Sequence, residues 1–265
     1  HGEDGVGTSA VATLPDSFPN CRITFRKVNN DFVGAYETRG ITETAYYRLL
    51  SPELIPEYDK ILYSDVDVVF REDLSYYYDI DLGDNYFAGV DNGSAYRKDV
   101  QQYLRDTLNI AVDKGYFYSG NLIINLALLR KDNKCQEFRE LGRNAYKQQD
   151  MDIMNIACNG RFLQLPPAYC LTVQLYERIL NELRLMVKYF SEDELDHALA
   201  KGIIHYNGAK PWKAWCHHLD YWWEYYRMSP VFSEKFYLSF FHNSKNDYDN
   251  FIRIKDSQKL QLLKK

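Results

Sequence analysis

The chain has 265 residues, enough for one large domain or two small ones with a proper hydrophobic core. A formal charge of −5 excludes the basic footprint that general nucleic-acid binding needs. Five cysteines (Cys21, Cys135, Cys158, Cys170, Cys216) without CxxC spacing exclude a zinc ribbon and a fully paired disulfide framework, pointing to reduced thiols and a cytoplasmic setting, and no apolar run reaches the ~18–20 residues that cross a bilayer.

Residues 1–20 read as a connection containing Gly, Ser and Pro, leading into a strand over 22–28. Thr42 is positioned to cap a helix over 43–50 that contains Arg48 and is closed by Ser51-Pro52. The stretch KILYSDVDVVF, residues 60–70, then reads as a buried strand interrupted by two acids, Asp65 and Asp67. On an extended chain residues i and i+2 share a face, so both carboxylates aim at one point. Two acids beside apolar flanks repel each other and lose hydration, and a divalent cation relieves both problems. A metal site at a strand terminus is the expectation, against the plainer reading that the acids simply reach solvent.

A helical turn over 71–78, a turn over 83–85 and a short strand over 86–90 follow. Asp91-Asn92-Gly93 ends that strand with residue types that favour a turn. Helical periodicity covers 97–110, and GYFYSGNLIINL (115–126) reads as a strand in which Gly120 permits a bulge or close backbone approach. Helices are expected over 127–131 and 135–148. Asp150-Met151-Asp152 opens a further helix, with acids in the first turn where the dipole favours them. A strand over 161–165 stops at Pro166-Pro167, and helices over 175–190 and 192–201 follow. In GIIHYNGAKPW (202–212) an apolar strand delivers His205 and a glycine turn presents Lys210. A metal-ligating imidazole and a phosphate-pairing ammonium thus fall within six residues of each other. The remainder is aromatic-rich and helical. Its last fifteen residues carry five cations and one acid, suited to a solvated tail or to an anionic lipid surface. The domain expectation is an α/β domain over 1–212 with a helical extension over 213–265.

Three stretches in order, YYRLLSPELIPEYDKILYSDVDVVF, YFYSGNLIINL and HYNGAKPW, resemble the family 8 glycosyltransferases, which include bacterial lipopolysaccharide galactosyl- and glucosyltransferases and glycogenin. The resemblance implies an α/β nucleotide-diphospho-sugar transferase fold, a Rossmann-like mixed sheet between helices. It implies Mn²⁺, a UDP-sugar donor, a lipopolysaccharide or capsular glycan acceptor, and transfer with retention. Carried over by position, Asp65, Asp67 and His205 would bind the metal, and Gly208 and Lys210 would contact the diphosphate. Arg48 and Asp91 would hold the donor sugar, Asp150 would hydrogen-bond it, and Asp152 would sit near the reacting carbon. Peripheral contact with a membrane would run through the basic C-terminus.

Three departures qualify the resemblance. Tyr118 stands where the family often has Asn before Ser/Ala-Gly, leaving Asn121 as a substitute amide. Met151 stands where Asp-Gln-Asp is common, which removes a candidate nucleophile and shifts the expectation to Asp152. HGEDGVGTSAVATL resembles the segment after the family's second strand, so an N-terminal β-α-β piece is expected to be missing, with weakened uridine binding and an exposed sheet edge. Two competing readings are a haloacid-dehalogenase-type phosphohydrolase using Asp65 as nucleophile and Asp67 as acid/base, and an inactive sugar-binding fragment.

Overall fold

The computed structural model describes residues 11–243 except 30 and 39, together with residue 252. The first ten residues, where the resemblance to a post-strand segment begins, and the rest of the basic tail lie outside the described residues. The chain divides into two compact units: Val28–His205, and the described parts of His1–Lys27 and Tyr206–Lys265.

The larger unit holds β1 (Lys60–Ser64), β2 (Val68–Val69), β3 (Phe87–Gly89), β4 (Asn121–Asn125), β5 (Phe162–Gln164), β6 (Leu171–Thr172) and β7 (Ile204–His205). They form two mixed sheets, ordered β1-β4-β3-β5 and β2-β7-β6. In the first sheet β4 runs antiparallel to β1 and β3, while β5 is parallel to β3. The apolar run Leu122-Ile123-Ile124 explains why β4 sits inside this sheet. Ile123 packs with Ala88, Leu165 and Leu171 on one face, and Leu122 and Ile124 pack with Phe87, Phe117 and Leu126 on the other. A strand covered on both faces needs no polar alternation.

The strand expected over 60–70 is broken. β1 ends at Ser64, Asp65 keeps one further backbone bond to Gly120, residues 66–67 leave the ladder, and β2 resumes at Val68 in the other sheet. Val66, apolar in sequence, is fully exposed. The two acids therefore share the connection between sheets, where their side chains escape the apolar layers that a continuous strand would impose.

Other boundaries differ for local reasons. Residues 21–29 form no strand. Residues Glu43–Leu50 form a 3₁₀ helix, and the Thr42 hydroxyl pairs with that of Thr44 at 2.8 Å instead of capping. Ser51-Pro52 begins the α-helical turn Ser51–Leu54 because proline fits a first turn. The helix expected over 135–148 is Lys134–Leu141, ending at Gly142. That expected over 175–190 divides at Glu182 into Val173–Asn181 and Leu183–Met186. The helix Glu192–Lys201 is as expected, with a capping box between Ser191 and Glu194.

In the smaller unit, helices Leu219–Met228 and Glu234–Asn243 pack through aromatic rings around the buried Trp223, whose Nε1 donates to the Pro211 carbonyl at 3.1 Å. Among the described residues no helix is long and apolar enough to cross a membrane.

Candidate active site

Strand pairing assembles a cluster of metal-ligand type from distant segments. The Asp65 amide donates to the Gly120 carbonyl at 2.8 Å, extending the β1–β4 ladder by one rung. In the other sheet β2 pairs with β7 so that Val68, next to Asp67, lies opposite His205. His205 Nε2 thereby comes 3.2 Å from Asp67 Oδ1 and 3.6 Å from Asp65 Oδ2. Ligand atoms of the three residues lie within 4.8 Å of one another. Two carboxylates and an imidazole form a donor set suited to a divalent cation. Gly120 makes the approach possible: a Cβ there would lie 2.2 Å from His205 Cε1 and 3.0 Å from Asp65 Oδ2. The residues present fit the metal that the resemblance implies.

Arg48 ties this cluster to a third carboxylate. Its Nη2 lies 2.8 Å from Asp65 Oδ1 and its Nε lies 3.2 Å from Asp150 Oδ2. Nη1 donates to the Ser119 carbonyl at 2.7 Å, and the guanidinium lies over the Tyr63 ring. Burial works against the Arg48 charge, but Asp150 and then Asp65 outweigh it and hold the pKa above its ordinary value. Burial raises the Asp150 carboxyl above the usual range, with Arg48 opposing the rise. Arg48 spans the two acids because the 3₁₀ helix carrying it packs against the helix Asp150–Cys158.

The other expected site residues divide. Asp152 is fully buried: Oδ1 accepts from the Tyr116 hydroxyl, and Oδ2 accepts from the Tyr103 hydroxyl at 2.6 Å and the Gln148 amide at 2.7 Å. Asp150, not Asp152, is thus the acid joined to the metal-ligand cluster. Met151 is buried against Leu104, Leu108 and Tyr116, so its side chain is core. Asp91 Oδ1 accepts from the amides of Gly93 and Ser94, and Oδ2 accepts from the Ser94 hydroxyl and the Tyr116 amide, the turn chemistry its sequence suggests. Asn121 is buried, with Nδ2 donating to the Tyr169 carbonyl at 3.3 Å. In the smaller unit Gly208 is exposed, and the Lys210 ammonium donates to the Tyr206 carbonyl at 2.6 Å.

Several participants escaped the sequence reading. Tyr63 donates to Asp65 Oδ1 at 2.8 Å, and its place two residues before Asp65 on a strand is a signal that could have found it. Cys170 Sγ lies 3.8 Å from His205 Nδ1. Burial, then the charges of Asp65 and Asp67, push this thiol up, so it is neutral. No local pattern marks Cys170, because parallel pairing of β6 with β7 brings it there. Gln149 is buried with φ 51° immediately before Asp150, a strained backbone of the kind that costs about 1–3 kcal/mol and recurs at functional sites.

Comparison with known proteins supplies the context for this geometry. A family model described as glycosyl transferase family 8 matches residues 17–216. The probable glycosyl transferase Gly of Streptococcus gordonii is 27% identical over 214 residues, covering 78% of this chain and 27% of that protein. The lipopolysaccharide 1,2-glucosyltransferase of Escherichia coli K12 is 27% identical over 201 residues, covering 73% of this chain and 56% of that protein. The chain therefore spans less than two thirds of either relative. The crystal structure of the galactosyltransferase LgtC, in complex with donor and acceptor sugar analogs, superposes with a TM-score of 0.71 at 26% identity, covering 88% of this chain and 84% of LgtC.

Proposed function

This chain belongs to glycosyl transferase family 8, and from that premise we propose that it is a metal-dependent, retaining transferase moving a hexose from a UDP-sugar to a glycan acceptor. Its fold is the expected nucleotide-diphospho-sugar transferase architecture, a mixed sheet with helices as in LgtC. The observation that carries the reading is the meeting of Asp65, Asp67 and His205, with Arg48 linking Asp65 to Asp150.

In this proposal Asp65, Asp67 and His205 hold Mn²⁺, and Gly208 and Lys210 contact the diphosphate. When bound, the cation supplies positive charge to the UDP oxygen that accepts the electron pair of the breaking sugar–phosphate bond. Arg48 fixes the orientation of both acids. Asp150 faces the anomeric carbon and stabilises its oxocarbenium-like charge, supported by its ion pair with Arg48. Asp152 acts as a positioning group through Tyr103 and Tyr116, and Asp91 and Asn121 shape the donor pocket. The likeness to a lipopolysaccharide glucosyltransferase supports a lipopolysaccharide or capsular glycan acceptor. Five free cysteines support a cytoplasmic setting, with peripheral membrane contact through the basic tail as a further part of the proposal.

The phosphohydrolase alternative is not favoured. Arg48 and Tyr63 both engage the Asp65 oxygen Oδ1, and Asp91 is spent on its own turn. Calorimetry tests the proposal directly: UDP should bind with Mn²⁺ present and not without it, and Asp67→Ala should abolish the binding. UDP affinity that survives Asp67→Ala sinks the metal assignment, and phosphatase activity with no UDP binding would restore the alternative. A donor screen read by product mass identifies the sugar.

A further inference from the structure

Beside the metal-ligand cluster lies a cleft open to solvent, walled in part by Asp91, Arg97, Tyr118, Cys170 and Arg178. Two of its wall residues touch His205. Cys170 Sγ lies 3.8 Å from Nδ1, and the Tyr118 ring meets the imidazole edge-on with centroids 5.5 Å apart. A molecule in the cleft would therefore be one side chain away from the candidate metal position.

The wall has an uneven charge. It carries two guanidiniums, Arg97 and Arg178, against one carboxylate, Asp91. Asp91 already accepts four hydrogen bonds from its own loop and the neighbouring strand connection, so its lone pairs are committed. Each arginine has an acid partner outside the wall: Asp99 lies 2.6 Å from Arg97, and Glu182 lies 2.8 Å from Arg178. Those acids are 67% and 41% exposed, against 23% and 29% for the arginines, so the cations face inward relative to their partners. Arg97 spends Nε and Nη2 on Asp99 and Nη1 on Asn92, and Arg178 spends Nη1 on Glu182, but pairs with such exposed acids contribute little, so an anion held in the cleft can take the acids' place on the guanidiniums. Gln174 and Asn92 add amides, and Tyr96 carries Arg178 over its ring.

Resting on the transferase reading above, we infer that this cleft is a subsite for an anionic saccharide group, a carboxylate or a phosphate, read by Arg97 and Arg178. The anion can belong to the transferred sugar or to the acceptor, and both sources present the same chemistry to the two arginines.

The test uses the full chain with Mn²⁺ and UDP. Binding of UDP to the wild type is measured first: its absence sinks the transferase reading, and this subsite with it. Methyl glucuronide, glucose 6-phosphate and methyl glucoside are then titrated at low salt. The anionic probes should bind at least about tenfold more tightly than the neutral glucoside, with the margin lost in the Arg97→Gln/Arg178→Gln double variant. Equal affinity for all three probes overturns the inference, as does a margin that persists in a folded double variant. If that variant does not fold, wild-type salt dependence decides: the margin should shrink as salt rises, and a salt-independent margin overturns the assignment. With the margin established, a preference for UDP-glucuronate over UDP-glucose puts the anion on the donor. Equal use of both donors with glycosylation of the glucuronide puts it on the acceptor.

Discussion

Gly120 controls whether the metal ligands can meet, because its missing Cβ is the space His205 and Asp65 occupy. Gly120→Ala should weaken Mn²⁺ binding by about 10–100-fold, the usual effect of disturbing the supports of a metal ligand. Isothermal titration with the metal alone checks it, and an unchanged affinity would show that the imidazole has another way to sit. Arg48 is the corresponding residue for charge. Removing it leaves Asp150 buried without its ion-pair partner, so Arg48→Ala should destabilise the fold by about 3–5 kcal/mol near neutral pH. The pH dependence has a definite sign. Burial already raises the Asp150 carboxyl, and losing Arg48 raises it further. The folded variant then keeps its proton to higher pH than the unfolded chain, so the stability gained from protonation is lost as pH rises through that raised pKa. Urea melts should find the defect of Arg48→Ala smaller near pH 5 than near pH 8. The two acids of the following helix separate by kinetics. Asp150→Asn should lower kcat about 100-fold or more and, because Arg48 keeps Asp65 as a partner, cost less stability than Arg48→Ala. Asp152→Asn should act mainly on stability, because its carboxylate is engaged by Tyr103, Tyr116 and the Gln148 amide. A fully stable Asp152→Asn variant with no turnover would reverse those roles.

At the scale of elements, the break between β1 and β2 is the feature that makes the site. A continuous strand would keep both acids in one ladder, whereas changing sheets turns the connection toward β7 and its histidine. Two substitutions in apolar stretches should therefore behave oppositely. Val66→Ser, on the exposed connection, should alter stability by less than about 0.5 kcal/mol. Ile123→Ala, in a strand buried on both faces, should cost about 2–5 kcal/mol. Chemical denaturation distinguishes them, and a large loss at Val66 would mean the connection is packed in solution.

For the whole molecule, binding and stability are linked. Mn²⁺ and UDP at a hundred times their dissociation constant should stabilise the chain by about 2.7 kcal/mol, a melting shift of at least about 5 °C. Asp67→Ala should remove the shift. The fold class, the alternation of strands and helices, and Asp65, Asp67 and His205 as candidate ligands were all legible from local chemistry: apolar runs, acids two residues apart, and a histidine ending a strand. The resemblance of three stretches to one family added the reaction. Local chemistry could not show that Lys60–Phe70 spans two sheets, or that Cys170 stands beside the histidine, because strand partners are chosen by packing across the chain. Nor could it separate Asp150 from Asp152. Both acids open the same helix, and their surroundings come from elsewhere: Arg48 beside the first, Tyr103 and Tyr116 around the second. Sequence supplies the chemical groups, while tertiary packing decides which carboxylate meets a cation and which is closed off by tyrosines.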